Sequence, residues 1–92
     1  MINLNDIKTA QNRISPYIFS TPLIQSIPLS SKDREVFLKL ESMQITGSFK
    51  LRGAINKLLS LSDNQKKKGV VAVSTGNHGK GVAHASKSLG IK

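Results

Sequence analysis

Apolar residues fall at helical steps in three stretches of the chain and run together in two others. Ile7, Ala10 and Ile14 repeat every three or four residues, and Asn3 followed by Asp6 has the spacing of a capping box, which predicts a helix over residues 4–14. Pro16, Pro22 and Pro28 then break the chain, so Ser20 and Thr21 leading into Leu23 and Ile24 read as a connecting segment with short strands. After the polar turn Ser30 to Arg34, the run Val36, Phe37, Leu38, Lys39 and Leu40 has the length and residue types of a strand. Helical spacing returns with Leu51, Ala54, Ile55, Leu58 and Leu59, opened by the loop Thr46, Gly47 and Ser48, with Ser48 as the predicted N-cap. Residues 61–68 are polar and predict a second short helix ended by Gly69. Val70, Val71, Ala72 and Val73 form an unbroken apolar run that suits a parallel strand covered on both faces. Beyond the turn Ser74 to Gly79, Val82, Ala85, Ser86 and Leu89 trace one face of a last helix closed by Gly90.

The element order is therefore α, β, α, β, α. Such alternation predicts parallel pairing through right-handed crossovers, hence an α/β architecture. Ile91 follows a helix-closing glycine, where another strand is expected to begin, and two substantial strands alone would leave both sheet edges bare. At 92 residues the chain is one small domain at most, near the limit at which a single core suffices. The expected organisation is that residues 1–92 form the N-terminal portion of a larger fold.

Charge and cysteine content narrow the function classes. Fourteen Lys and Arg against five Asp and Glu give a formal charge of +9, which attracts anions in general. The one dense basic run, Lys66 to Lys68, reads as the solvated end of a helix. Tyr17, Phe19, Phe37 and Phe49 do not interleave with basic residues as a stacking platform for single strands requires, so no nucleic-acid partner is expected. No apolar run reaches membrane-spanning length and Met1 to Asp6 lack a signal-peptide layout, so no membrane partner is expected. The absence of cysteine removes disulfides, thiolate zinc sites and thiol catalysis and fits a reducing compartment, with the cytoplasm as the expected setting.

Two loops between a strand and a helix N-terminus carry the candidate chemistry, since open α/β sheets collect ligands there. In the first, Lys50 feels the positive end of a helix dipole and the neighbouring cation Arg52, which favours the neutral amine that imine formation needs. Position alone leaves open that Lys50 is an ordinary surface lysine. The second loop, Ser74 to Gly79, offers two hydroxyls, an amide and backbone N–H groups at a helix start, a combination that binds a carboxylate or phosphate. The alternative is a plain turn with Asn77 as N-cap. His78 and His84 stand six apart with no cysteine or nearby carboxylate, so no metal site is expected. Neither Ser48 nor Ser74 lies in a nucleophile-elbow setting, and a hydrolase is not supported.

Taken together, Lys39-Leu-Glu-Ser-Met-Gln-Ile-Thr-Gly-Ser-Phe-Lys50-Leu-Arg-Gly-Ala54 and Ser74-Thr-Gly-Asn-His-Gly79 resemble the two signature segments of the fold-type II pyridoxal-phosphate enzymes. Thr21-Pro22-Leu23, the strand Val36 to Leu40 and the closing Ala83 to Gly90 extend the likeness over nearly the whole chain. Leu51-Arg52-Gly53 after the lysine, in place of Asp-Arg, directs it to the branch of the threonine/serine dehydratases (threonine ammonia-lyases) and serine racemases. The resemblance implies a three-layer α/β fold around a twisted parallel sheet, like that of the tryptophan synthase beta chain, of which this is one part. It implies pyridoxal 5'-phosphate as cofactor, bound as a Schiff base by Lys50, with Phe49 and Asn77 also at the cofactor and Asn77 bonded to its phenolic oxygen. Ser74, Thr75, Gly76, Asn77 and His78 would hold the substrate carboxylate. The implied reaction is dehydration and deamination of L-threonine or L-serine, a small amino-acid substrate, to a 2-oxo acid and ammonia in a homo-oligomeric parent enzyme. Serine racemases usually carry a serine where Thr75 stands, so racemisation is the runner-up, followed by a non-catalytic remnant and a basic binding module. The seven glycines never stand side by side, so no segment matches the family's glycine-rich phosphate loop, and these residues alone are expected to be inactive.

Overall fold

A computed structural model describes residues 1–92. Helix α1 covers Leu4–Ile14. Asp6 N–H donates to Asn3 Oδ1 at 3.0 Å and Asn3 N–H donates to Asp6 Oδ2 at 2.9 Å, the reciprocal capping that the spacing predicts. A 3-10 turn with Pro16 near its start, Ser15–Tyr17, redirects the chain.

Strands β1 (Leu23–Gln25) and β2 (Phe37–Lys39) pair antiparallel, with Ile24 opposite Leu38. The parallel pairing expected of the strands at 36–40 and 70–73 is not seen within this chain; β2 pairs instead with β1, from the connecting segment, and antiparallel. The reason is local: no helix separates the two strands. Ser31 and Arg34 bridge the polar turn with backbone hydrogen bonds at 2.8 and 3.3 Å, so the chain folds straight back. The apolar run 70–73 forms no ladder either. Val70 N–H donates to the Lys92 carbonyl at 2.7 Å, but one main-chain bond does not make a strand, and Val71 and Val73 are 96% and 95% exposed.

Helix α2 runs over Lys50–Leu59, α3 over Asp63–Lys68 and α4 over Asn77–Leu89. The expected cap of α2 is displaced: Phe49 holds the N-cap position without a side-chain bond, and Ser48 Oγ accepts only a long 3.4 Å bond from Lys50 N–H. Helix α3 has a full capping box between Ser62 and Gln65 and ends at Gly69, whose φ of +80° explains the glycine. Gly76 occupies the N-cap position of α4, so Asn77 is its first helical residue rather than its cap. Gly90 closes α4 in the left-handed conformation at φ +65°, as expected.

The core is the seam where α2 meets α4 and α1. Leu51, Ala54, Ile55 and Leu58 from α2 pack with Ala85 of α4, Ile14 of α1 and Ile91. Leu51 and Ile55 are fully buried, each contributing roughly 1.5–3 kcal/mol of transfer free energy. Arg13 Nη1 donates to Asn56 Oδ1 at 2.8 Å and joins α1 to α2 at the rim. None of the helices is long and apolar enough to cross a membrane.

Candidate active site

The first turn of α2 places Lys50 beside a cleft of about 530 Å³. Phe49, Lys50 and Gly53 line it from α2, His78 and Val82 from α4, and Val71 from the segment before α4. Its walls are mostly apolar, and its volume is in the range of a small-molecule site. The Lys50 ammonium lies 5.1 Å from the centroid of the Phe49 ring, a cation–π contact worth about 0.5–1 kcal/mol at an exposed position.

A charged clasp, whose Arg52 also lines the cleft, holds the same turn. Arg52 Nε donates to Glu41 Oε2 at 2.9 Å and Arg52 Nη2 donates to Glu41 Oε1 at 2.7 Å, a two-pronged pair. Thr21, itself buried, donates its hydroxyl to Glu41 Oε1 at 2.5 Å, and Lys39 Nζ donates to the Thr21 carbonyl. The Arg52 hydrogen bonds hold the Glu41 carboxyl at about 2, well below its ordinary 4.5; partial burial opposes them, and the Thr21 hydroxyl and the Arg52 charge add to them. Glu41 in turn raises the pKa of the Arg52 guanidinium. Arg52 is therefore not the free cation beside Lys50 that its position in sequence suggests, because its charge is matched by Glu41. Just beyond, the buried Gln44 side chain accepts from Phe19 N–H at 2.8 Å and donates to the Phe19 carbonyl at 3.0 Å.

Helix α4 approaches the lysine turn almost backbone to backbone. A Cβ placed on Gly81 would lie 3.3 Å from both Leu51 N and the Lys50 carbonyl carbon. The small residues Gly81 and Ala85, one turn apart, make this approach possible, and both are buried. In the turn ahead of α4, Gly76 N–H donates to Ser74 Oγ at 3.1 Å. The first N–H groups of α4, at Asn77, His78 and Gly79, have no carbonyl within the helix to bond, which suits an anionic group.

The residues singled out in the sequence are thus only partly assembled. Phe49, Lys50 and His78 share the cleft, whereas Ser74, Thr75, Gly76 and Asn77 form the exposed turn beside it and do not line it. Sequence reading missed the Thr21–Glu41–Arg52 clasp and the role of Gly81. Glu41 was a usable signal, as one of only five acidic residues and the one nearest the lysine loop.

Comparison with known proteins decides the family. Residues 14–92 match the family model described as "Pyridoxal-phosphate dependent enzyme". The chain belongs to the pyridoxal-phosphate dependent enzymes. It is 54% identical to the catabolic L-threonine dehydratase of Staphylococcus aureus over 99% of its own length and 27% of that protein's. Among solved structures, the serine racemase of Dictyostelium discoideum superposes with a TM-score of 0.90 at 42% identity, covering 99% of this chain and 30% of that one. The threonine deaminase of T.th. superposes with a TM-score of 0.82 at 45% identity, over 98% of this chain and 32% of that one. The chain thus has the α/β fold of this family and spans about a quarter of the length of the curated relatives it matches.

The family's cofactor is pyridoxal phosphate, and the residues here fit it in part. Lys50 supplies a primary amine at a mostly apolar cleft, Phe49 supplies a ring face beside it, and the open N-terminus of α4 supplies donors for an anion. Gly53, with nothing within 4 Å of a Cβ added to it, keeps the cleft wall open next to the lysine.

Proposed function

We propose that this chain provides the lysine-bearing part of a pyridoxal-phosphate lyase that converts L-threonine or L-serine to a 2-oxo acid and ammonia. The observation that carries the reading is the placement of Lys50 at the cleft, between the Phe49 ring and the first turns of α4. The dehydratase and deaminase names of two relatives support the substrate class.

Pyridoxal phosphate, when bound, supplies an electron sink that makes the α-proton of an amino acid acidic. Lys50 Nζ would hold the cofactor, and as a free amine it would serve as the general base for the substrate α-proton. Phe49 and Asn77 would help to hold the cofactor, Asn77 from the turn beside the cleft. Ser74, Thr75, Gly76, Asn77 and His78 orient the substrate through its carboxylate, using the hydroxyls and the helix-start N–H groups. A cytoplasmic setting goes with the absence of cysteine, and a homo-oligomeric enzyme with the resemblance.

The likeness to the Dictyostelium serine racemase favours one second reading, in which the same lysine serves racemisation. Incubation with pyridoxal phosphate, borohydride reduction and peptide mass analysis tests the first step for both. The label is expected on Lys50 and is expected to vanish in Lys50→Ala. Labelling spread evenly over the eleven lysines of a folded sample would sink the reading. Assay of the full-length protein for 2-oxo acid against D-serine then separates lyase from racemase.

A further inference from the structure

The first turn of α2 has no side-chain cap, yet Lys50 must direct a long, exposed side chain from it into the cleft. An uncapped helix start frays unless something else holds it. Three separate segments meet to supply that hold. Arg52, two residues beyond the lysine, is gripped by both oxygens of Glu41, and Glu41 is fixed in turn by the buried Thr21 hydroxyl. Glu41 and Arg52 are both partly buried, with side chains 17% and 31% exposed, so the pair is shielded more than an ordinary surface ion pair.

We propose that Glu41 is a positioning residue for Lys50: its two-pronged grip on Arg52 fixes the first turn of α2 and thereby the direction in which Lys50 Nζ meets the cofactor. The inference rests on Lys50 being the cofactor lysine, as proposed above. Glu41 is not a catalytic residue, since its carboxylate is fully engaged by Arg52 and Thr21 and it does not line the cleft. The guanidinium fork matters, because a flexible ammonium lacks the rigid pair of parallel N–H donors that matches both carboxylate oxygens.

The test uses the full-length protein and reads the share of borohydride-fixed pyridoxyl label found on Lys50, corrected for the folded fraction by circular dichroism. A purely structural role changes the folded fraction but not this corrected share. In Glu41→Gln the share is expected to fall roughly tenfold, less than the roughly hundredfold that a full 1 Å misplacement of reacting groups can cost. Arg52→Lys is expected to behave likewise, and the exchanged pair Glu41→Arg with Arg52→Glu to regain part of the label, short of the share that the Thr21 hydroxyl bond maintains. Should Glu41→Gln not fold, Thr21→Val decides, since it keeps the ion pair and removes one donor; a fall of about threefold is expected there. A folded variant of either kind with the wild-type share overturns the proposal. Wild-type protein without preference for Lys50 overturns the cofactor-lysine reading itself, which distinguishes the two failures.

Discussion

Two glycines inside helices face opposite circumstances, and replacing each by alanine should move stability in opposite directions. Gly53 in α2 has nothing within 4 Å of an added Cβ, whereas at Gly81 in α4 that Cβ would sit 3.3 Å from Leu51 N and the Lys50 carbonyl carbon. Alanine is the better helix former by about 1 kcal/mol at both positions. At Gly81 the new methyl meets main chain, which cannot turn aside as a side chain could. Helix α4 must then shift by a few tenths of an ångström, and overpacking of this kind costs about 1–3 kcal/mol. Gly53→Ala is therefore expected to stabilise by up to about 1 kcal/mol, and Gly81→Ala to lose up to about 2 kcal/mol on balance. The propensity gain cancels in the difference between the two variants, so that difference, about 1–3 kcal/mol, measures the close approach alone. Urea unfolding followed by circular dichroism, without cofactor, gives both values. Equal stabilities within about 0.5 kcal/mol would show that α4 does not lie against the lysine turn as described.

Acid should weaken the clasp. The folded Glu41 carboxyl, at about 2, lies below its ordinary 4.5, so the unfolded chain takes up the proton first as pH falls. The stabilisation is complete above pH 4.5 and is lost progressively towards pH 2; with partial exposure taken into account it amounts to about 1–3 kcal/mol. Acid titration of unfolding free energy should show this loss in the wild type and not in Glu41→Gln. Ser86→Ala should stabilise by about 0.5–1 kcal/mol, because the buried Ser86 hydroxyl has no partner and alanine is the better helix former. A loss of stability on the same urea assay would mean that the hydroxyl is bonded.

What the sequence discloses and what it hides follow from the range of the interactions. Helix α1 was legible because Asn3 and Asp6 cap it locally, and the ends of α3 and α4 because Gly69 and Gly90 stop them. The pairing of β1 with β2 was not, since it depends on a turn that holds by two backbone bonds and leaves no helix between the strands. Val70 to Val73 have strand composition, yet composition does not supply the neighbours that a ladder needs. At the site, Lys50 and the Ser74 to Gly79 turn were visible as motifs. The clasp was hidden because Thr21, Glu41 and Arg52 stand 20 and 11 residues apart, at no repeating step, and meet only after the ribbon folds.

Gln44 draws a different consequence from the same region. Its amide takes both the N–H and the carbonyl of Phe19, as a neighbouring strand would. A rung made of main chain survives almost any change of side chain, but this one exists only while position 44 encodes glutamine. This rung between the segment before β1 and the loop leading to the lysine is thus inherited through a single codon, open to loss or recovery in one mutational step while the backbone around it stays the same.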